Sequence, residues 1–386
     1  MNAPAFLDLD SSATTPVSER VLAAMLPWFR EGYANPGSPS PAGERAKEAV
    51  NGARGHLAEF LGAEPREIVF TSGATESNQT AIRSAVRSRP ERRTVLVSAV
   101  EHSSILGLRP DLEREGIRMV TIPAGEDGRI DPAQVSRMVD ETTALVAVMW
   151  VNNETGGINP VREIAGIARE AGALFLTDAV AACGKVPVDL RTVPADFLSL
   201  SAHKFYGPKG IGALFVRRGA DFHPLMPGSQ ERRRRGGTEN VPGIVGLGEA
   251  ALESREFLGE GSLRLAHLRR RLEEGILSLG RGIRRNGPAE ESLRAPHISN
   301  LRFSGTPGEK ILLSLGREGI FVSMGSACSS GSMEPSHVLS AMGLSREESM
   351  SSVRFSLGRE TRPEDVDRTI RALSQILGFL EERRVS

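Results

Sequence analysis

The sequence predicts an α/β fold built on a mainly parallel sheet covered by helices, with a second, smaller domain, and three features predict it. From about residue 68 to 216, short apolar runs rich in Val, Ile, Phe and Leu alternate with helical patterns. Most of these runs end in a polar cluster, reading TSGATES, EHSS, NNETGG, DAV, SAHK and RR in turn. In open α/β sheets, ligands bind just beyond the carboxyl ends of the strands, so these clusters are where chemistry is expected. After about residue 250 the pattern changes to charged amphipathic stretches.

The expected strands are residues 67–70, 94–100, 144–151, 173–177, 197–200 and 211–216. Between them, PVREIAGIAREAG sets Ile164, Ile167, Ala168 and Ala171 on one helical face with charges on the other, as a covering helix requires. The later part holds an amphipathic helix in SLRLAHLRRRLEEGILSL, two short strand-like runs, ISNLRF and GIFVS, and a closing helix from about Pro363.

Composition excludes several classes. Lys plus Arg number 48 and Asp plus Glu number 48, so no global field draws the chain to nucleic acid or to an anionic membrane. No apolar run approaches the roughly 20 residues of a membrane-spanning helix, and the start MNAPAFLDLDSS lacks a secretory layout. A cytoplasmic protein is expected. The two cysteines, Cys183 and Cys328, have no metal or disulfide spacing, so no metal site is expected and a free reactive thiol is.

The most informative segment is LSLSAHKFYGPKGIGALFV, where an apolar strand delivers Ser201, His203 and Lys204 to a turn. A lysine held there can lose its proton and form a Schiff base with a carbonyl cofactor. Asp178 ends the apolar strand LFLTDAV, a costly position for a carboxylate without a cationic partner, and a pyridinium nitrogen is such a partner. FTSGATES runs from a strand through a glycine turn into a helix, so Ala74 and Thr75 offer an amide and a hydroxyl to an anion. His102, beyond another strand in AVEHSS, is suited to stack on an aromatic cofactor and to move protons. Each of these has a plain structural alternative on its own: a solvated lysine, a capping aspartate, an ordinary turn, a buried histidine.

Taken together, Thr75, His102, Asn153, Asp178, Ser201, His203 and Lys204 follow one another at successive strand ends. With LDLDSSATTP, VNNETGGINPV, RRGGTENVPGIVGLGEA, GSACSSGSMEPSHVL and SVRFSLGR, the set spans nearly the whole chain. It resembles the cysteine desulfurases of the NifS/IscS-like kind, class V aminotransferases among the fold type I pyridoxal-phosphate enzymes.

The resemblance implies an aspartate aminotransferase-like fold, with a seven-stranded, mainly parallel sheet in a large domain (15–254) and a smaller α+β domain (1–14 and 255–386). It implies pyridoxal 5'-phosphate as cofactor, with Lys204 as the Schiff-base lysine, Asp178 at the ring nitrogen and His102 stacked on the ring. Thr75, the Ala74 amide, Ser201 and His203 would hold phosphate, joined by Thr238 from the neighbouring subunit of a homodimer. Arg354 and Asn35 would bind the substrate carboxylate, with Asn153 positioning substrate or ring. Cys328, in a loop of small residues, would attack the sulfur of L-cysteine, release alanine and keep a persulfide for an acceptor protein, a scaffold or sulfur carrier. Cys183 reads as a packing residue.

Two positions depart from the family pattern. Many members have a glutamine three residues after the aspartate, bonded to the phenolic oxygen of the cofactor, where this chain has Ala181. Ser40 stands where relatives often have histidine. The alternatives are a related pyridoxal-phosphate lyase or aminotransferase, a selenocysteine lyase, and a non-catalytic scaffold, which retention of Lys204 argues against. The run of four arginines at 232–235 fits either a solvated turn, a dimer loop or an acceptor-docking patch.

Overall fold

Each run expected as a strand between residues 67 and 216 is one in the computed structural model, which describes residues 6–280, 282–325 and 334–385. In chain order the strands are β1 Leu7–Asp8, β2 Ile68–Thr71, β3 Thr94–Ser98, β4 Arg118–Ile122, β5 Thr143–Ala147 and β6 Leu174–Asp178. They continue with β7 Phe197–Ser201, β8 Gly212–Val216, β9 Ile283–Asn286, β10 Ile298–Phe303, β11 Ile320–Phe321 and β12 Ser352–Ser356. Seven form one sheet in the order β2-β8-β7-β6-β5-β3-β4. Neighbours from β7 through β4 pair in parallel, while β8 runs antiparallel to both β2 and β7.

The strand the sequence did not predict in this sheet is β4, and its edge position explains why. Its residues mix buried and open positions, with Met119 and Ile122 packed inward and Arg118 exposed, so there is no continuous apolar run to read. The central strands β3, β5, β6, β7 and β8 are buried at every residue because helices cover both faces. Two separate apolar clusters result: Leu96, Val146, Phe175 and Leu198 belong to one, and Val97, Leu145, Leu176 and Phe197 to the other. The covering helix is Val161–Glu170; Val161, Ile164, Ala165 and Ala168 are buried, whereas Ile167 and Ala171 are half-buried at its margin.

A three-stranded antiparallel sheet, β12-β10-β9, forms the later part, with helices Glu260–Leu277 and Pro363–Val385 packed beside it. Its core takes in Leu7 and Leu9 from the start of the chain, where β1 pairs in parallel with β11. Ser40 caps the helix Pro41–Leu61 by accepting from the Gly43 amide at 3.2 Å. Among the described residues, no helix is long and apolar enough to cross a membrane.

Half of the arginine run is tied to neighbouring elements, while Arg232 and Arg233 are exposed. Arg234 donates to the Arg66 carbonyl at 3.0 Å and Arg235 pairs with Glu76 at 3.0 Å. Just before the run, buried Glu231 accepts from Arg54 at 2.6 Å and from the Phe70 amide at 3.0 Å, joining the helix Pro41–Leu61 to β2. Breaking a buried pair leaves its partner's charge uncompensated. Glu231→Gln is expected to cost about 3 kcal/mol, read as a lower urea midpoint at unchanged slope.

Candidate active site

Two glycine-dependent contacts assemble one end of the site. β2 ends at Thr71, and the chain turns through Gly73 into the helix Ala74–Ser88. Beneath this turn lies Gly212 of β8, where an added Cβ would sit 2.4 Å from the Leu200 carbonyl and 2.7 Å from the Gly73 Cα. No larger residue fits there, so the turn rests directly on the strand pair β7–β8. The Ala74 amide then donates to Ser201 Oγ at 2.8 Å. Beyond Ser201, one 3-10 turn, Ala202–Lys204, presents His203 and Lys204.

Ala74, Thr75, Ser201 and His203 line a cavity of about 440 Å³ together with Lys209, which the sequence reading had not assigned. A helix N-terminus, two hydroxyls, an imidazole and an ammonium make this an anion cradle. The His203 ring is bonded to Thr14 Oγ1 at 3.1 Å. Burial, reinforced by Lys204 and Lys209, pulls its pKa down to about 4, so at neutral pH it serves as a neutral hydrogen-bonding group.

The cradle adjoins a larger cavity of about 780 Å³ that shares these four residues and adds Lys204, Asp178 and His102. Lys204 Nζ donates to the carbonyls of Ser12 and Ala13 at 2.5 and 2.8 Å. Burial, then the Arg354 charge, lowers its amine to about 8, against the opposing pull of Asp10 and Asp178. A neutral, nucleophilic amine is therefore within reach near neutral pH.

Asp178 is 4% exposed and takes part in no ion pair among the described residues. Its two oxygens accept instead from Asn78 Nδ2 and the Val180 amide, both at 2.9 Å. The cationic partner expected from the sequence is thus left to whatever the cavity holds. His102 Nδ1 accepts from the Ser104 amide at 3.1 Å, which puts the ring proton on Nε2. Burial is the main cause lowering its pKa; Lys204 and His337 add to this, opposed by Asp178.

Arg354 and Asn153 also line this cavity. Arg354 comes from β12, a Ser-Val-Arg-Phe-Ser strand too polar for the sequence reading to predict. Its guanidinium donates to the Asn153 carbonyl at 3.0 Å and to Asp10 at 2.6 Å, while Nε has no partner and is buried. Two proposed residues are absent from the lining: Asn35 is exposed and bonds its own loop at Gly37, and Thr238 is exposed on the arginine-run segment. Cys328 lies outside the described residues, but Ser323 and Gly325, just before it, line the cavity. Cys183 is fully buried, and burial pushes its thiol well up, so it is inert packing.

Besides Asp10, the sequence reading missed four ionisable groups in the same cavity lining. Glu154 is buried, its carboxyl pushed up by burial, and it accepts from Ser336 Oγ at 2.5 Å. His337 bonds the Glu101 carbonyl at 2.8 Å. Lys185 and His297 are both buried and line the cavity. Glu154 and His337 sit inside quoted motifs, NNETGG and MEPSH, where polar character was visible but no role was. Ala181 also lines the cavity and, as a methyl group, offers no donor.

A profile of the aminotransferase class-V family matches residues 8–369. Cysteine desulfurase 2 of Trichormus variabilis is 45% identical over 370 residues, covering 96% of this chain and 92% of that protein. A solved NifS-like protein superposes with a TM-score of 0.91 at 34% identity, over 97% of this chain and all of that one. The structure of SspA in complex with cysteine matches with a TM-score of 0.81 at 35% identity, over 92% of this chain and 99% of that one. With the matching profile spanning almost its whole length, and a cavity that combines an anion cradle, an unpaired carboxylate and a near-neutral lysine, this chain belongs to the aminotransferase class-V family.

Proposed function

We propose that the protein is a cysteine desulfurase that converts L-cysteine to L-alanine and retains the sulfur as a persulfide on Cys328. One observation carries the reading: the cavity that holds Lys204, Asp178 and Arg354 is continued by Ser323 and Gly325, the residues that lead into the segment bearing Cys328. Enzymes of this family use pyridoxal phosphate. The donor set fits that group: the cradle suits its phosphate, the unpaired Asp178 carboxylate its ring nitrogen, Lys204 its carbonyl carbon and His102 its ring face. When bound, it supplies an electron sink for bonds at the α carbon of an amino acid.

The chain's own residues do the rest. Arg354 has a buried, unpartnered Nε and can turn its fork from Asp10 to a substrate carboxylate, with Asn153 beside it. Lys204 moves the α proton, since its lowered pKa lets it take and return a proton near neutral pH. The Cys328 thiolate attacks the substrate sulfur: an S–S bond forms, the C–S bond breaks, its electron pair stays on the β carbon, and that carbon takes a proton. Alanine leaves, and the persulfide is open to attack by a thiol on an acceptor protein. Arg354→Gln is expected to raise KM for L-cysteine about 10- to 100-fold with a smaller change in kcat, measured by steady-state alanine release.

Residues 15–254 form the cofactor-binding domain in this reading, and 1–14 with 255–386 the smaller one, in line with the separate apolar cluster that joins Leu7 and Leu9 to residues beyond 264. The active unit is a homodimer. Leu22, Leu26, Phe29 and Tyr33 form an exposed apolar stretch, from 42 to 81% open, beside the exposed Asn35, and burying that stretch against a second copy is the favourable course. Asn35 and Thr238 then act across the interface. A cytoplasmic setting keeps the Cys328 thiol reduced between turnovers. The deciding assay is equimolar release of alanine and sulfide from L-cysteine with a thiol reductant present; cofactor-loaded protein that yields no alanine contradicts the reading.

A further inference from the structure

Lys185 is a buried titratable group in the cavity for which this chemistry has no use. It lies one turn after Ala181: the amides of Lys185 and Val186 both donate to the Ala182 carbonyl at 3.0 Å, and residues 181 and 185 both line the large cavity. Lys185 is 2% exposed and its Nζ has no hydrogen-bond partner. No carboxylate pairs with it among the described residues. The amine sits 4.9 Å from the centre of the Tyr206 ring, and the Arg359 guanidinium lies 4.4 Å from the same ring. His297 is a further neighbour, buried with its own Nδ1 unpartnered and held neutral by burial and by the surrounding cations, Lys185 among them.

A buried lysine in such surroundings is costly in either state, as an ammonium without a counter-charge or as an amine with unused donors. Burial and the Arg359 charge lower it to about 7. An anionic oxygen inside the cavity would relieve both costs.

The walls indicate which oxygen. With phosphate in the cradle, the ring nitrogen at Asp178 and the carbonyl carbon at Lys204, three sides of pyridoxal phosphate are assigned. Its phenolic oxygen lies on the far side of the carbonyl carbon from the phosphate arm. Ala181, Lys185 and His297 line the large cavity and not the cradle, so they lie away from the phosphate end, and Lys185 follows Ala181 by one turn. We propose that Lys185 is a cofactor-binding residue that donates to the phenolic oxygen of pyridoxal phosphate, at a wall where Ala181 supplies no donor. The proposal rests on the cofactor and not on the identity of the substrate.

The test uses cofactor-loaded protein without substrate and reads the pH midpoint of the bound cofactor's visible absorbance. A donor at the phenolic oxygen draws electron density from it and loosens its hold on the neighbouring imine proton, so losing the donor raises the midpoint. Lys185→Met is expected to raise it by about one unit or more, and Lys185→Arg to leave it near the wild-type value. Adding Ala181→Gln to Lys185→Met restores a donor one turn away and is expected to bring the midpoint back. Lys185→Gln is read in the same way if the Met variant does not fold. A midpoint within about 0.2 units of wild type in the fully loaded Lys185→Met or Lys185→Gln protein overturns the proposal. Wild-type protein that titrates normally yet makes no alanine from cysteine defeats the functional reading and leaves this result standing.

Discussion

Lys204→Ala is expected to lower alanine formation by about 10⁴-fold or more, because one amine both holds the cofactor's carbonyl carbon and moves the substrate's α proton. The loss should not be one of folding. Lys204 ends a short turn whose backbone is held by others: the Thr15 amide donates to the His203 carbonyl at 2.8 Å, and the Tyr206 amide to Thr15 Oγ1 at 2.8 Å. The variant therefore keeps its thermal midpoint and binds the cofactor noncovalently through the cradle and Asp178. Borohydride treatment separates the cases, fixing the cofactor's mass to the Lys204 peptide in wild type and to no peptide in the variant. A Lys204→Ala protein with alanine formation within tenfold of wild type would remove Lys204 from the mechanism.

Cys328→Ser is expected to abolish sulfur release, by about 10³-fold or more, while cofactor binding and the absorbance change on adding L-cysteine persist. The cavity residues and Cys328 divide the labour. The groups that bind and activate the amino acid, Lys204, Asp178, His102 and Arg354, all line the cavity, and each is held by hydrogen bonds to other described residues. A serine hydroxyl cannot form the S–S bond. Stopped-flow spectra should show the substrate-dependent change at an unaltered rate, followed by no alanine. If turnover is unchanged instead, sulfur leaves without Cys328, and a lyase or aminotransferase reaction fits the same cavity better.

The sequence shows most clearly what burial makes uniform. β3, β5, β6, β7 and β8 are covered on both faces, so their apolar runs are unbroken and their ends are marked by the polar clusters of the site. β4 and β9 escaped notice as edge strands with exposed charge, and β12 because its serines and arginine break up the apolar run. Site residues at strand ends, such as Asp178 and Lys204, were legible because a charge after an apolar run needs a reason. Lys185 had no such signal: AACGK reads as an apolar stretch in which Cys183 packs, and only the packing of Tyr206, Arg359 and His297 around the lysine reveals a buried amine. Asn35 and Thr238 followed from family resemblance alone, and a single chain leaves both exposed, away from the cavity wall.

The central claim is that Cys328 takes the sulfur. One equivalent of L-cysteine, added without reductant to cofactor-loaded protein, should yield one alanine per active site. Mass spectrometry should then find one added sulfur atom on the Cys328 peptide and none on that of Cys183, which is 0% exposed and cannot meet the substrate. Alanine formed with Cys328 unmodified, or added sulfur on Cys183 in place of Cys328, would contradict the account.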